Sequence, residues 1–559
     1  MMTNSFPRLD ERGRGWLRFI WDKATTPDDW SVNGEPHPWW DRYSTPPMCS
    51  LGRFDLHETG YVLPVMSDIT PAWREAYTRI ADELVTRHTS FHAAIDWLTM
   101  IGNDPDQRRY PPEWLAVLPE HLRGRYDAPG WVANGVKPWG LQPDPIGSEG
   151  NNFFRGFFNM LLCFYRYVSG DNKWEQPFKV AGYQERLYEW SHPQIVSFMH
   201  DQWAERPQGV HCENTKIWPF CVSGAGLGLQ LYDGLHGTQT RWVYERWIEY
   251  ARKHYMGLDS KGRLDWFAFY YDPLERSMCT LRDDVSAYAA IAVTLYLLPI
   301  NRGFATQLYE MAVTKLGWNA PHKPLLQLHP DPRWLTLGII TARELGDSAT
   351  EARLRKTAEA TFEPRFFGPD GDHFGWWFRF GEQWPRGQLS SLMVLSELGA
   401  PGAWSQVFNR PNLDKFTEPT VSGVDYPTLG LSQCWNDLDT GALWVETYCA
   451  TAPKRGCATQ FTVSGLPNPA ATRVVMDGSE FGQWSVSGPD RIEIRTDVAT
   501  HRFRIETGFT RDSRHRPATA MPVASGSVTT VGSVMAAPAV LASASQHLAA
   551  SGGCSSSCC

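Results

Sequence analysis

The sequence predicts a mainly α fold, a toroid of helical hairpins of the (α/α)6 type, followed by a small antiparallel β segment and a disordered tail. Three observations carry that expectation. From about Pro64 to Phe416, short stretches of helical periodicity alternate with loops rich in Gly, Pro, Asp and Trp, so neighbouring helices should pair antiparallel. Beyond Gly441 apolar and polar residues alternate, which is the period of strands. From about Arg511 the composition collapses to Ala, Ser, Gly, Thr and Val, with too little apolar bulk to offset the entropy of ordering. The expected organisation is an N-terminal extension over 1–45, a helical catalytic body over 46–440, a β segment over 441–510 and a low-complexity tail over 511–559. No repeat of fixed period is visible, so the toroid rests on helix pairing alone.

The clearest helix begins at Asn152, where Phe153, Phe157, Leu161, Phe164 and Val168 recur at helical spacing, and it stops at Ser169-Gly170-Asp171. Comparable patterns run over 240–255, 285–298, 333–345, 351–362 and 388–398. Strands are expected over 442–448, 459–463, 472–476, 491–496 and 501–505, with Met476-Asp477-Gly478 as a turn. The tail ends in Cys558-Cys559, a lipidation-like signal. Upstream basic residues are sparse there, which favours a plain exposed tail.

Composition narrows the function. The 559 residues carry 53 Lys and Arg against 61 Asp and Glu, a net charge of −8, which disfavours a nucleic-acid partner. No window approaches about 18 continuous apolar residues, and Met1–Asp10 lacks the apolar stretch of a secretory signal. The expectation is a soluble, cytoplasmic protein without stable membrane insertion. Eleven scattered cysteines without a Cys-x-x-Cys pair suited to zinc predict no disulfide framework and no structural metal. The surplus is aromatic: 26 Trp, 27 Phe and 20 Tyr, as expected of an aromatic core or of a cavity for an apolar ligand or a sugar.

The most informative stretch is His211-Cys212-Glu213-Asn214-Thr215-Lys216-Ile217-Trp218-Pro219-Phe220-Cys221 and the helix that follows, with Leu227, Leu229, Leu231 and Tyr232 as its apolar face. Cys221 should open that helix, where unsatisfied N–H groups favour a thiolate. Cys212 stands beside His211 and Glu213, groups able to exchange a proton. Asp265–Pro273 is an aromatic run in which Tyr270 or Tyr271 could donate to a substrate hydroxyl.

The run Cys-Glu-Asn, then Trp-Pro-Phe-Cys, then Leu-Tyr-Asp-Gly-Leu-His-Gly-Thr at 231–238, resembles the active-site segment of the linalool dehydratase/isomerase family. The resemblance implies a toroid of paired helices that needs no cofactor and acts on a hydrophobic isoprenoid-type alkenol. In that reading Cys212 and Cys221 are catalytic: one protonates the departing hydroxyl while the other, helped by neighbours, removes a proton. Glu213, Trp218, Phe153, Phe157, Tyr270 and Tyr271 would contact substrate. Arg53–Tyr61 is similar to the family's early segment, with Asp55 and Tyr61 as its aspartate and tyrosine. In the family that segment reaches a neighbouring subunit's site, so the resemblance also implies a homo-oligomer with shared sites.

The chain departs from the family on the Asn152 helix, where Phe153 and Phe157 stand in place of a methionine and an assisting histidine. His57, His88, His92 or His211 would have to supply that function, and the more apolar pocket points to a larger alkenol than linalool. Arg282-Asp283-Asp284 lacks the spacing of a magnesium-binding terpene cyclase. The alternatives are a toroid glycoside hydrolase or polysaccharide lyase, using Glu213 with Asp55 or Asp283 with Asp284 and a stacking platform at His373–Phe378, or a non-catalytic binder of an apolar ligand.

Overall fold

The computed structural model describes residues 4–28, 39–40, 52–90, 93, 143–182, 186–212, 216–273, 276–322, 333–377, 385 and 387–514. Its first half holds helices α1 (Glu11–Thr25), α2 (Gly52–Glu58), α3 (Leu63–Ile69), α4 (Glu75–His88), α5 (Asn152–Ser169), α6 (His192–Ala204), α7 (Pro219–His236) and α8 (Trp242–His254). The second half adds α9 (Asp283–Leu297), α10 (Arg302–Leu316), α11 (Arg333–Leu345), α12 (Ser348–Thr361), α13 (Gly387–Glu397) and α14 (Ala403–Asn409). None of the described helices is long and apolar enough to cross a membrane.

Six helices touch in order: α2 packs on α5, α5 on α7, α7 on α9, α9 on α11, α11 on α13, and α13 returns to α2. A second set lies against them, with α4 and α6 on α5, α8 on α7, α10 on α9, α12 on α11 and α1 on α13. The chemistry of the sequence sorts the two sets. In α7 nearly every side chain from Pro219 to His236 is buried, so the apolar face expected at Leu227–Tyr232 is in fact a helix buried all round. The outer α8 instead buries only a stripe, Val243, Tyr244, Trp247, Ile248 and Ala251. Helix α1, expected inside an N-terminal extension, also belongs to the core: Trp16, Leu17, Phe19 and Ile20 are fully buried.

Helix α5 ends as the sequence predicts, on Gly170 in the left-handed region at φ +71°. Its packing against α7 is unusually close because glycines face it. A Cβ at Gly156 would come 2.5 Å from Ala225 Cβ, and one at Gly228 would come 2.7 Å from Asn159 Nδ2. Both pairs advance in the same direction along the two helices, so α5 and α7 run parallel, with α6 as the return between them.

Strands β1 (Phe178–Ala181) and β2 (Leu187–Trp190) form one hairpin, β3 (Met256–Leu258), β4 (Leu264–Asp272) and β5 (Ser277–Arg282) a three-stranded sheet, and β6 (Arg365–Phe367) and β7 (His373–Gly375) another hairpin. The C-terminal region contains β8 (Thr420–Ser422), β9 (Leu429–Asp437), β10 (Ala442–Cys449), β11 (Ala458–Ser464), β12 (Arg473–Met476), β13 (Ser479–Glu480), β14 (Trp484–Gly488), β15 (Arg491–Asp497) and β16 (Arg502–Glu506). They make antiparallel sheets in the orders β13-β12-β16-β10-β9 and β14-β15-β11-β8. Phe461 on β11 meets Phe503 on β16 at 5.5 Å between ring centres, joining the two sheets. The β12–β13 turn falls on Asp477 and Gly478, both at positive φ, as expected. The β region starts at Thr420, not beyond Gly441. Strand β9 is buried at nearly every position, so it lacks the alternation that reveals a half-exposed strand. At the far end, Arg514 still pairs with Asp414, later than the expected start of the tail; residues 515–559, with Cys558 and Cys559, lie outside the described residues.

Candidate active site

Two helix N-termini meet at the site. Asn151 precedes α5 and bridges Cys212, and Asn152 N–H donates to His211 O at 3.1 Å. That pairing sets Cys212 against the first turn of α5, where Phe153 N–H donates to Cys212 Sγ at 3.2 Å. The cysteine is fully buried. Helix α7 begins at Pro219, with Trp218 as N-cap and the proline at the first helical position, where its missing N–H costs nothing. Cys221 therefore lies in the first turn of α7, as expected. The parallel register that sets Gly156 against Ala225 and Asn159 against Gly228 carries Asn152 to the level of Cys221. Both thiols thus belong to the same end of the α5–α7 pair, where helix dipoles stabilise negative charge.

Aromatic rings wall that end. A Cβ at Gly224, one turn beyond Cys221, would come 2.3 Å from the Phe157 ring, so the glycine is what admits Phe157 between the helices. Phe157 packs 4.6 Å from Phe153 and 6.0 Å from Phe220. On its other face His57 of α2 stacks flat, 4.2 Å away with 7° between planes. The imidazole thus lies directly beside the position where the family's histidine was expected. Tyr61 follows one turn later, its hydroxyl 3.0 Å from that of Tyr296 on α9. Burial, then the neighbouring Tyr296 and Glu58, push the Tyr61 phenol well above its ordinary range, so it is a neutral donor.

A charged layer lies behind Cys212. Arg155, fully buried, donates to the carbonyls of Ile146 and Ser148 and to Gln202. Burial lowers it to about 10, against the opposing pull of Glu149 and Cys212. Burial raises Glu149, but the hydrogen bond to His211 and the charge of Arg206 outweigh it and hold the carboxyl at about 2. His211, 3.4 Å from Glu149, is pushed down by burial despite that carboxylate.

The remaining expected residues divide. Trp218 packs on Tyr270 at 5.0 Å, and Lys216 Nζ lies 5.1 Å from the Tyr270 ring. Tyr271 pairs its backbone with Ile217 but turns its ring toward Tyr255, because neighbouring strand residues face opposite ways; it is not beside Trp218. Asp55 is buried, 2.5 Å from Lys23 Nζ, and Tyr61 meets Tyr296 of the same chain. Glu213 and His92 lie outside the described residues. His88 stacks on Phe158 at 4.7 Å, on the α4 side of α5. The two residues missed from sequence are Phe220 and Tyr296. The first sits inside the Trp-Pro-Phe-Cys run, and the second carries no local signal.

The features of the sugar reading are differently placed. Asp283 and Asp284 are exposed at the start of α9. Phe374 and Trp376 are buried, and His373 pairs with Asp22 at 2.8 Å; this is packing between α1 and β7. Among the described residues no group of three or more His, Cys, Asp or Glu could hold a metal ion.

Among solved structures the chain is similar to a GH127 β-L-arabinofuranosidase from Geobacillus stearothermophilus T6, at 9% identity over 88% of this chain and 75% of that one, with a TM-score of 0.22. It is also similar to a second GH127 β-arabinofuranosidase, at 9% identity over 88% of this chain and 74% of that one, with a TM-score of 0.24. At these scores neither bears on fold or activity here. The family model described as linalool dehydratase/isomerase matches residues 131–374, a span that contains both cysteines and helices α5 and α7. That match agrees with the resemblance carried by the Cys-Glu-Asn and Trp-Pro-Phe-Cys runs.

Proposed function

We propose that this protein is a cofactor-independent lyase/isomerase that dehydrates, hydrates or isomerises a hydrophobic isoprenoid-type alkenol at the α5–α7 end, inside an (α/α)6 toroid. The closed order of helix contacts supports the toroid. The observation that carries the chemistry is Cys212 Sγ receiving the Phe153 N–H, with Cys221 in the first turn of α7 at the same end of the helix pair. In the dehydrating direction, one thiol gives its proton to the departing hydroxyl oxygen. The C–O bond breaks, water leaves, and the adjacent carbon loses a proton to the other sulfur or to His57 as the new C=C forms. One proton is supplied and one taken up, so the site returns to its starting charge. The Phe153 and Phe157 faces stabilise the allylic cation character that develops in between.

The stacked His57 replaces the histidine that Phe157 displaces, and Asp55, held by Lys23, anchors α2 instead of reacting. Any homo-oligomer should then hold sites complete in each subunit. The test is product analysis by gas chromatography after incubation with linalool and with nerolidol, its homologue one isoprene unit longer. The wild type should convert nerolidol faster, and His57→Phe, which keeps the ring stack and removes the nitrogens, should lower the rate on the order of 10²-fold. No conversion of either alcohol, with a ligand merely bound, would leave the protein a non-catalytic binder.

A further inference from the structure

Asn152 opens α5 with a side chain that is fully buried, yet among the described residues neither its Oδ1 nor its Nδ2 has a hydrogen-bond partner. An amide stripped of water without compensation is destabilising, so natural cores seldom keep one unless something else satisfies it. Its neighbour Asn151 is half satisfied: Nδ2 donates to Pro145 O at 2.7 Å, while Oδ1 has no partner among the described residues. Asn152 instead lies on the α7 side of its helix: its Oδ1 would be 3.7 Å from a Cβ at Gly156, the position that faces Ala225. Moved back one turn along the same parallel register, the amide is level with Cys221. Trp218, the N-cap of α7, likewise buries an indole N–H that has no partner among the described residues. Set among the Phe153, Phe157 and Phe220 rings, the Asn152 amide offers both a donor and an acceptor, which fits it to recognise a hydroxyl oxygen.

Resting on the alkenol reading, we infer that Asn152 is the specificity-determining residue that binds the hydroxyl oxygen of the substrate. Nδ2 donates to that oxygen and Oδ1 accepts from its O–H, which turns the O–H away from carbon and leaves an oxygen lone pair for the thiol proton. The amide transfers no proton. Its contribution is selective for an oxygenated ligand over the hydrocarbon of the same skeleton, because only the oxygen relieves the buried amide.

The experiment measures binding of nerolidol and linalool, each alongside its deoxy analogue, to the wild type, Asn152→Leu and Asn152→Ala, with thermal melts to establish that each variant is folded. The wild type should prefer the alcohol, and both variants should lose about 10- to 100-fold in alcohol affinity while the deoxy analogue binds equally well or better. Activity should fall chiefly through KM. Equal losses for alcohol and deoxy analogue would overturn the inference while leaving the alkenol reading standing. Failure of both alcohols to bind the wild type would overturn both. If both variants unfold, Asn152→Asp serves in their place: charged at neutral pH, it should lose alcohol binding as pH rises, and an unaltered pH profile would count against the assignment.

Discussion

Among the described residues, cysteines and histidines gather at both ends of the α5–α7 pair, and the two groups differ in their hydrogen bonding. In the first half of the helices, Cys212, Cys221 and His57 lie among rings, with the Asn152 amide and the Trp218 N–H unmatched among the described residues. In the second half, Cys163 Sγ sits 3.7 Å from His192 Nε2, and His192 Nδ1 is 3.4 Å from Glu175. That sequence of cysteine, histidine and carboxylate looks like a nucleophile with its base and orienting acid. Every ring nitrogen there is nevertheless occupied: His192 Nε2 bonds Asn159 at 2.9 Å, His236 Nε2 bonds Glu175 at 3.0 Å, and His236 Nδ1 bonds Tyr232 O at 3.0 Å. Burial pushes the Cys163 thiol well above its ordinary value, with Glu175 and Asp233 adding to the effect. Those bonds hold the rings of the second cluster in place, although Asn159 Nδ2 has no partner among the described residues.

The largest effect expected from this contrast is on turnover. Cys212→Ala and Cys221→Ala should each lower kcat on the order of 10²–10⁴-fold with little change in Tm. Cys163→Ala should leave kcat within about twofold and cost about 1 kcal/mol of stability, read from denaturant melts. A Cys163 variant that lost activity while remaining folded would erase the distinction.

Next in size is the packing that shapes the active end. Gly224→Ala would drive a Cβ into Phe157, and overpacking of this kind costs about 1–3 kcal/mol. The Phe157–His57 stack should move with it, so Tm and activity fall together. Adding Phe157→Leu should restore both in part, and a double-mutant cycle measures the coupling. Purely additive losses would show that the glycine and the ring are independent.

The smallest effect is confined to acid stability. Burial raises the Glu175 carboxyl, but the hydrogen bonds and charges of His192 and His236 outweigh it and hold it well below the ordinary carboxylate range. A depressed carboxylate contributes stability that is present above its unfolded pKa and is lost as pH falls through the folded one. His192, lowered chiefly by burial, acts in the same direction, since unfolding lets it take up a proton as the solution is acidified. Arg166 faces the same cluster and opposes protonation of His192. Glu175→Gln should therefore lower Tm at neutral pH and flatten its decline toward acid pH, with kcat unchanged.

Much of this was legible in the sequence where a pattern is one-sided. Helix 240–255 and strand 491–496 follow from periodicity because one face is wet. Strand β9 does not, being buried on both faces, and α1 was hidden because a single helix at a chain end says nothing of what it covers. At the site, Cys221 at a helix start and the Phe153–Phe157 pair could be read directly, since local spacing sets them. His57 stacked on Phe157, the Tyr61–Tyr296 hydroxyl pair and the diversion of Asp55 to Lys23 could not. Each joins segments far apart in the chain, and only the packing of α2 on α5 decides which ring fills the space left by a missing histidine.

The most direct test of a thiol site that breaks and remakes a C–O bond is oxygen exchange. Nerolidol is incubated with enzyme in water enriched in oxygen-18, and the recovered alcohol is analysed by mass spectrometry. Reversible loss of the hydroxyl at Cys212 and Cys221 should place oxygen-18 in the alcohol with the wild type and with Cys163→Ala, and not with Cys212→Ala or Cys221→Ala. Exchange that persists without Cys212 and Cys221 would contradict the assignment of the two sulfurs.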